Sequence, residues 1–83
     1  MIQNYPNPFN PATTIQYTLN QMSAVILTVH DLMGHEVALL DEGIKTAGLH
    51  RVQFDASHLS NGVYFYQLET DSQVLTRKML LMK

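Results

Sequence analysis

Hydrophobic and polar residues alternate along two early stretches of the chain, Thr13–Leu19 and Ala24–His30. Successive side chains of a β-strand point to opposite faces, so a period of two predicts strands with one buried face. The side chains predicted to face inward are Ile15, Tyr17 and Leu19 in the first stretch, and Val25, Leu27 and Val29 in the second. We therefore predict two half-buried strands with mostly polar outer faces.

The residues that follow, Asp31–Gly34, predict a tight turn. Asp suits the first position of a type I turn, and Gly accepts the left-handed backbone of the bulge after it. The register that this loop sets is Asp31 opposite His35, Val29 opposite Val37 and Leu27 opposite Leu39. A third strand is then predicted from about His35 to Leu40, followed by a wider connection over Asp41–Gly48.

Alternation returns at His50–Asp55, which predicts a fourth strand with Val52 and Phe54 on one face. The next stretch, Asp55–Ser60, has no strand pattern, and Asp is a favoured helix N-cap. We predict a single helical turn that carries Leu59 inward while the chain crosses between two sheets.

The last stretch, Asn61–Lys83, predicts a β-hairpin. Asn61–Gly62 favours a chain reversal, and Val63–Tyr66 is an apolar and aromatic run typical of a partly buried strand. Small polar residues at Thr70–Gln73 predict the turn, after which Val74–Lys83 is again mainly apolar. A turn centred on Asp71 and Ser72 places Leu68 opposite Leu75, Tyr66 opposite Arg77 and Tyr64 opposite Met79. The strand pattern continues to the final residue, so we expect the terminus to have a function beyond packing.

All three prolines lie within Tyr5–Pro11, in a lead segment formed by residues 1–12. Proline fixes its own φ and pushes the preceding residue toward extended geometry, so we predict a rigid, irregular stretch pinned to the core by Tyr5 and Phe9. Residues 13–83 then form six strands, or seven if the lead segment pairs. Short turns and the lack of any longer helix predict an all-β fold, an antiparallel immunoglobulin-like β-sandwich.

Composition favours one small domain that is stabilised by packing. The 83-residue chain has no cysteine, is 46% hydrophobic and only 14% charged. Its net charge of −2 provides no electrostatic surface for nucleic acid, and no apolar run is long enough for membrane insertion. The first residues lack the basic and apolar regions of a secretory signal, so an export signal is expected on a longer parent chain if the protein is exported.

Candidate catalytic and metal-binding residues do not form a group with the spacing that either chemistry needs. His30 and His35 flank one turn, but the other histidines show no ligand spacing, so neither a metal nor another cofactor is predicted. Ser57–His58 lies near Asp55, but adjacent side chains rarely point at one another and no oxyanion hole is evident. We predict that the domain is not an enzyme.

Three motifs in sequence order span nearly the whole chain. They are YPNPFNPATTIQYTL at Tyr5–Leu19, VHDLMGHEVALL at Val29–Leu40 and NGVYFYQLETDSQVLTRKMLLMK at Asn61–Lys83. Together they resemble the C-terminal sorting domain of the type IX (Por) secretion system, type A. The resemblance implies an immunoglobulin-like sandwich fused behind an exported enzyme or adhesin of a Bacteroidetes-type bacterium.

The same resemblance implies an export route and a set of recognition residues. The parent protein would pass through the periplasm to the outer-membrane translocon and reach the cell surface or the medium, where a sortase-like peptidase commonly removes the domain. The residues that the resemblance assigns to translocon recognition are Gly62, Tyr64, Lys78, Met79, Leu80, Leu81, Met82 and Lys83. The opening motif is matched by Asn7, Pro8 and Phe9, for which a structural role is expected.

Two other functions stay open from the residues themselves. One is a structural or carbohydrate-contacting β-sandwich appendage of a secreted hydrolase, although the chain has no Trp for a sugar platform. The other is a homodimer formed through the last strand, which is predicted to lie at a sheet edge. The basic residues Arg77, Lys78 and Lys83 suit such an edge because charged side chains discourage unwanted strand pairing.

Overall fold

The computed structural model describes residues 2–83, which form seven β-strands in two sheets. The strands are β1 (Ile2–Tyr5), β2 (Ala12–Leu19), β3 (Ser23–His30), β4 (Glu36–Lys45), β5 (Gly48–Asp55), β6 (Gly62–Glu69) and β7 (Val74–Leu81). One sheet has the order β1-β2-β5 and the other the order β4-β3-β6-β7, with every neighbouring pair antiparallel. The predicted antiparallel β-sandwich is confirmed, and the lead segment supplies its seventh strand.

The core lies between the inner faces of the two sheets, where alternate side chains of each strand meet. Every inward position predicted for β2 and β3 is buried: Ile15, Tyr17, Leu19, Val25, Leu27 and Val29. Phe54 of β5 is also buried, and Val52 packs against the same cluster. The period of two in the sequence therefore identified the inner faces correctly.

The register of the final hairpin, β6 with β7, is the predicted one. Its pairs include Leu68 with Leu75, Tyr66 with Arg77 and Tyr64 with Met79. The backbone N–H of Thr70 donates to the carbonyl of Gln73 at 2.8 Å and closes the turn. The Thr70 hydroxyl accepts hydrogen bonds from the turn's N–H groups, which is how small polar residues stabilise such reversals.

The register predicted for β3 with β4 is wrong beyond the turn. The turn itself forms as expected, since the N–H of Asp31 donates to His35 and Gly34 has a φ of 89°. Two register shifts follow, so the observed pairs are His30 with Glu36, Val29 with Ala38 and Leu27 with Asp41. Each shift adds one residue to β4, as β-bulges do. The strand therefore continues to Lys45 through the residues predicted to form a wide connection.

The bulges place Asp41 opposite the inward-facing Leu27, where its side chain links the two sheets. The hydroxyl of Tyr17, on β2, donates to Asp41 Oδ2 at 3.0 Å, and Lys45 Nζ donates to Asp41 Oδ1 at 2.9 Å. Tyr17 is fully buried and stacks on His50 with ring centroids 5.2 Å apart. A buried hydroxyl needs such a partner, because an unpaired polar group in the core is costly.

Burial and hydrogen bonding change the pKa of both linked groups, the Tyr17 hydroxyl and the Asp41 carboxyl. Burial, together with the hydrogen bond to Asp41, raises the pKa of the Tyr17 hydroxyl above its ordinary value. Burial alone would raise the pKa of Asp41, but hydrogen bonds from Lys45 and Tyr17 outweigh it, so the pKa of this carboxyl lies below its usual range. The native state therefore holds Asp41 ionised and Tyr17 protonated at neutral pH.

Three further expectations need correction. Tyr5 does not pin the lead segment, since it is 45% exposed on the outer side of β1, whereas Phe9 is buried as predicted. Thr28, expected outward, is buried because Leu39 and Gln67 flank it on the neighbouring strands. The crossing after Asp55 is a single turn without helix, in which the N–H of Leu59 donates to the carbonyl of Ala56 at 2.9 Å.

A tyrosine fixes the start of β6 after this crossing. The hydroxyl of Tyr64, which is 7% exposed, donates to the carbonyl of Ser60 at 2.7 Å. A tyrosine bonded back to the connection before its strand is the tyrosine corner of immunoglobulin-like sandwiches. Gly62, at a φ of 150°, supplies the left-handed backbone between these two residues.

We expect Tyr64→Phe to lower the free energy of unfolding by about 1 kcal/mol, because one hydrogen bond is lost while the ring stays in the core. Urea denaturation measures the change, and the matched control is Tyr5→Phe, whose exposed hydroxyl makes a long 3.4 Å bond to Gln16. The control should change stability by less than about 0.5 kcal/mol. Equal effects of the two substitutions would contradict a structural function of the corner.

Asp41→Asn should destabilise the domain by about 1.5–3 kcal/mol at neutral pH, since it weakens hydrogen bonds that involve charged groups. A carboxyl with a lowered folded-state pKa contributes stability above its unfolded pKa of about 3.9 and loses it as the pH falls through the folded value. Unfolding free energies measured from pH 7 downward should therefore converge for wild type and Asp41→Asn below about pH 4. The neighbouring Glu42→Gln, which changes an exposed carboxylate, should keep the wild-type profile.

Candidate functional site

The candidate site is the free edge of β7, because this strand closes one side of the four-stranded sheet. The structure divides the predicted recognition residues into two groups. Four contribute to packing and strand geometry: Tyr64, Met79 and Leu81 are buried, and half-buried Gly62 pairs with Leu81. Four reach the surface: Leu80 is half-buried, and Lys78, Met82 and Lys83 are exposed.

Phe9 of the lead segment pairs with the end of β7 as a short parallel bridge. Its N–H donates to the carbonyl of Leu80 at 2.9 Å, and its carbonyl accepts from the N–H of Met82 at 3.0 Å. The Phe9 ring is 1% exposed and meets Phe54 at a centroid distance of 6.3 Å. The buried ring thus anchors the backbone that covers this part of the edge.

The side-chain amide of Asn7 pairs with two further backbone groups of the β7 edge, beside those that Phe9 occupies. The Leu80 N–H donates to Asn7 Oδ1 at 3.0 Å, and Asn7 Nδ2 donates to the carbonyl of Lys78 at 3.4 Å. An amide group carries one acceptor and two donors, so it can replace a backbone peptide at a strand edge. Pro8 stands between the two contacts and fixes its own φ. The opening motif Asn7, Pro8 and Phe9 therefore lies along the end of β7.

The final residue, Lys83, lies two residues beyond the end of β7 and makes two hydrogen bonds to the rest of the domain. Its backbone N–H donates to Asn61 Oδ1 at 2.8 Å, and its Nζ donates to the carbonyl of Ser57 at 2.9 Å. Lys83 therefore lies against the connection that precedes β6. These contacts tie the terminus to the domain beyond the last residue of β7.

The first half of the β7 edge stays open. Backbone groups of alternate residues in an edge strand point away from the sheet, and Leu80 shows that the even-numbered residues do so here. The outward groups of Val74 and Thr76, and the N–H of Lys78, meet no backbone or side-chain partner within residues 2–83. Sequence patterns could not reveal this division, because it depends on contacts between residues about seventy positions apart.

Positive charge accompanies the open part of the edge. Arg77 and Lys78 are exposed, and neither forms a salt bridge within residues 2–83. Burial raises the pKa of the Tyr66 hydroxyl, whereas the Arg77 charge acts in the opposite direction, so the guanidinium lies near that ring. Successive residues of a strand face opposite sides, so these two cations flank the edge.

Three of the histidines and carboxylates elsewhere, Asp31, His35 and Asp55, take part in turns. His35 Nδ1 lies 3.4 Å from Asp31 Oδ2, and hydrogen bonds from the backbone of His35 and Met33 lower the pKa of Asp31. Asp55 Oδ1 accepts from the N–H of Ser57 at 2.9 Å, a contact that lowers the pKa of this carboxyl and caps the crossing turn. No group of three or more potential metal ligands occurs in the part of the chain that the structure describes.

Comparison with known families identifies the kind of domain to which the β7 edge belongs. A family model described as a secretion system C-terminal sorting domain matches residues 3–82. The chain belongs to this family. The resemblance to the type IX secretion sorting domain is thus confirmed over nearly the whole sequence, and it includes both the opening and the closing motifs. No curated protein gives a significant match.

Membership of the sorting-domain family has several general consequences for function. The domain is a C-terminal sorting signal for type IX secretion and, as a sorting tail, a non-catalytic module. It implies a cargo on its N-terminal side, interaction with the secretion machinery, and export to the cell surface or the extracellular space. Among the described residues, no helix has the length and apolar character needed to cross a membrane.

We expect Asn7→Ala to expose the end of β7, because it removes both amide contacts to the strand. Hydrogen–deuterium exchange at the Leu80 amide should accelerate, with a loss of about 1–3 kcal/mol in local protection. Asn7→Asp should keep much of the Leu80 protection, since the acceptor oxygen remains. The control is Asn10→Ala, a change of an exposed residue in the same segment. Unchanged exchange at Leu80 in Asn7→Ala would show that the amide does not cover the edge.

Proposed function

We propose that the domain directs its exported parent protein to the type IX outer-membrane translocon, and that the secretion machinery recognises it chiefly through β7. The observation that carries the proposal is an edge strand held to its last residue by the lead segment and the β6 connection. An exposed strand edge offers unpaired backbone groups to a receptor, and the side chains beside it provide selectivity. Family membership supports the sorting function itself.

Among the predicted recognition residues, we infer that some shape the β7 edge and others contact the receptor. Gly62, Tyr64, Met79 and Leu81 shape the edge from inside the fold, because their side chains are buried or absent. Lys78, Leu80, Met82 and Lys83 are the residues that a receptor of the folded domain can touch. Met82 is 55% exposed and follows the last residue of β7, so a partner at this edge can contact it.

The same proposal includes the route of the parent protein. The folded domain is carried on the parent through the periplasm, and the cargo is delivered at the cell surface or into the medium. A sortase-like peptidase acting at the surface would cut upstream of the sandwich. The lead segment supports a cut before rather than after Phe9, because Phe9 is buried and bonded to β7.

A carbohydrate-contacting appendage has less support from the structure. Sugar-binding sandwiches present aromatic platforms, but Tyr5 is the one exposed aromatic side chain within residues 2–83. The other aromatic residues pack in the core or lie half-buried on a sheet. A glycan-binding screen that gave clear affinity for one polysaccharide would reverse this preference.

We expect removal of Met82 and Lys83 to leave a fused reporter in the periplasm of a bacterium with a type IX system. This deletion spares the buried Met79 and Leu81, whereas removal of Lys78–Lys83 would also take away core residues. Surface delivery should fall about tenfold or more, the effect of losing roughly 1.4 kcal/mol of recognition. The control alters two exposed apolar residues at another site, Leu32→Ala with Met33→Ala. Normal delivery of the folded deletion variant would refute recognition through the end of β7.

A further inference from the structure

A groove of about 380 Å³ runs between β1 and β7, the neighbouring edges of the two sheets. Its base contains Ile2 and Tyr66, which are each 2% exposed. The amide side chains along the lead segment are Gln3, Asn4 and Asn7. The opposite wall carries Arg77 and Lys78. A groove that lies beside an open strand edge, with buried residues at its base and polar residues along its sides, suits an extended peptide.

The backbone beside this groove is the open first half of the β7 edge, Val74–Lys78. The lead segment covers the edge from the carbonyl of Lys78 onward and leaves the earlier groups without partners in the described chain. An incoming strand can therefore pair with Val74, Thr76 and the N–H of Lys78 without displacing any native hydrogen bond. It would have to displace Asn7 and Phe9 to pair further along.

The charge around the edge selects the chemistry of that strand. Arg77 and Lys78 have no salt-bridge partner within residues 2–83, and no Asp or Glu lines the groove. The chain as a whole carries a net charge of −2, so this is a local cationic site on an acidic domain. Opposite charges across a strand pair are favourable, and like charges are unfavourable.

We propose that Val74–Lys78 is the docking site for an extended acidic segment of the secretion machinery, which adds to β7 as a further strand. Backbone hydrogen bonds to Val74 and Thr76 hold the segment, and its carboxylates meet Arg77 and Lys78. The proposal rests on the proposed function and specifies the partner's chemistry. A second copy of this chain fits less well, because its own Val74–Lys78 edge contains no carboxylate to pair with Arg77 and Lys78.

A binding experiment with synthetic peptides tests the chemistry directly. The probes are a ten-residue peptide of alternating Val and Glu, its Lys-for-Glu counterpart, and the Glu peptide with alternate backbone N-methyl groups. Titrated into the 83-residue chain, the acidic peptide should shift and protect the NMR amide signals of Val74, Thr76 and Lys78. The affinity of the basic peptide should be lower than that of the acidic peptide by about tenfold or more. The N-methylated peptide should give no amide protection, since it cannot form the strand ladder.

Three variants separate charge from backbone pairing. R77E combined with K78E should reverse the relative affinities, so that the site binds the basic peptide more tightly than the acidic one. T76P removes an outward N–H, which edge strands tolerate, and should abolish peptide protection while the core remains folded. R51E reverses one exposed charge on β5, away from the open edge, and should behave as wild type. Equal binding of both peptides, protection away from β7, or a doubled molar mass of the chain would overturn the proposal.

Secretion assays distinguish this proposal from the function on which it rests. A reporter fused to the R77E and K78E double variant should stay in the periplasm, whereas the R51E fusion should be delivered. If the deletion of Met82 and Lys83 blocks delivery but the double variant does not, the docking site alone is refuted. If neither change affects delivery, recognition through β7 fails as a whole.

Discussion

Four backbone groups at the end of β7 point away from β6, and the arrangement of both chain ends depends on how they are satisfied. An uncovered strand edge invites pairing with other chains, so a sandwich must cover it or charge it. Here the lead segment does the covering with one amide side chain and one backbone bridge. The same contacts explain two features of the sequence at once, the Asn-Pro-Phe motif near the start and the unbroken strand pattern at the end.

The edge can be held in place because the two sheets are fixed against each other at several points. Phe9 anchors the lead segment beside Phe54, and the Tyr17 hydroxyl joins β2 to Asp41 on β4. The corner at Tyr64 sets the start of the strand that pairs with β7. A domain of this size buries a modest apolar area, so specific polar links of this kind contribute a large share of its rigidity.

The fold followed from the sequence to the extent that local patterns determine it. Alternation identified the inner faces of β2 and β3, and turn chemistry gave the β6–β7 register residue by residue. The two bulges in β4 were not predicted, because the apolar run Val37–Leu40 is compatible with the bulged and the regular register. The hydrogen bond between Asp41 and Tyr17 favours the bulged one. Tyr5 was misplaced since an aromatic residue beside prolines gives no indication of which face it occupies.

The candidate site was less accessible to prediction than the fold. The resemblance named a set of residues in the final hairpin but could not separate those inside the sandwich from those on its surface. The contacts of Asn7 and Phe9 with β7 join opposite ends of the chain, and no period or motif spacing encodes such a pairing. The division of the β7 edge into a covered half and an open half becomes visible in three dimensions alone.

The bridge between Phe9 and Leu81 gives the β7 edge a further property. The finished edge needs residues from the beginning of the domain, Asn7 and Phe9, and from its end, β7, so neither part of the polypeptide forms it by itself. A ribosome that stops early, or a protease that trims the tail, leaves a product without the finished edge. A receptor that binds this edge would therefore inspect its cargo for completeness, and export and proofreading would be a single recognition event.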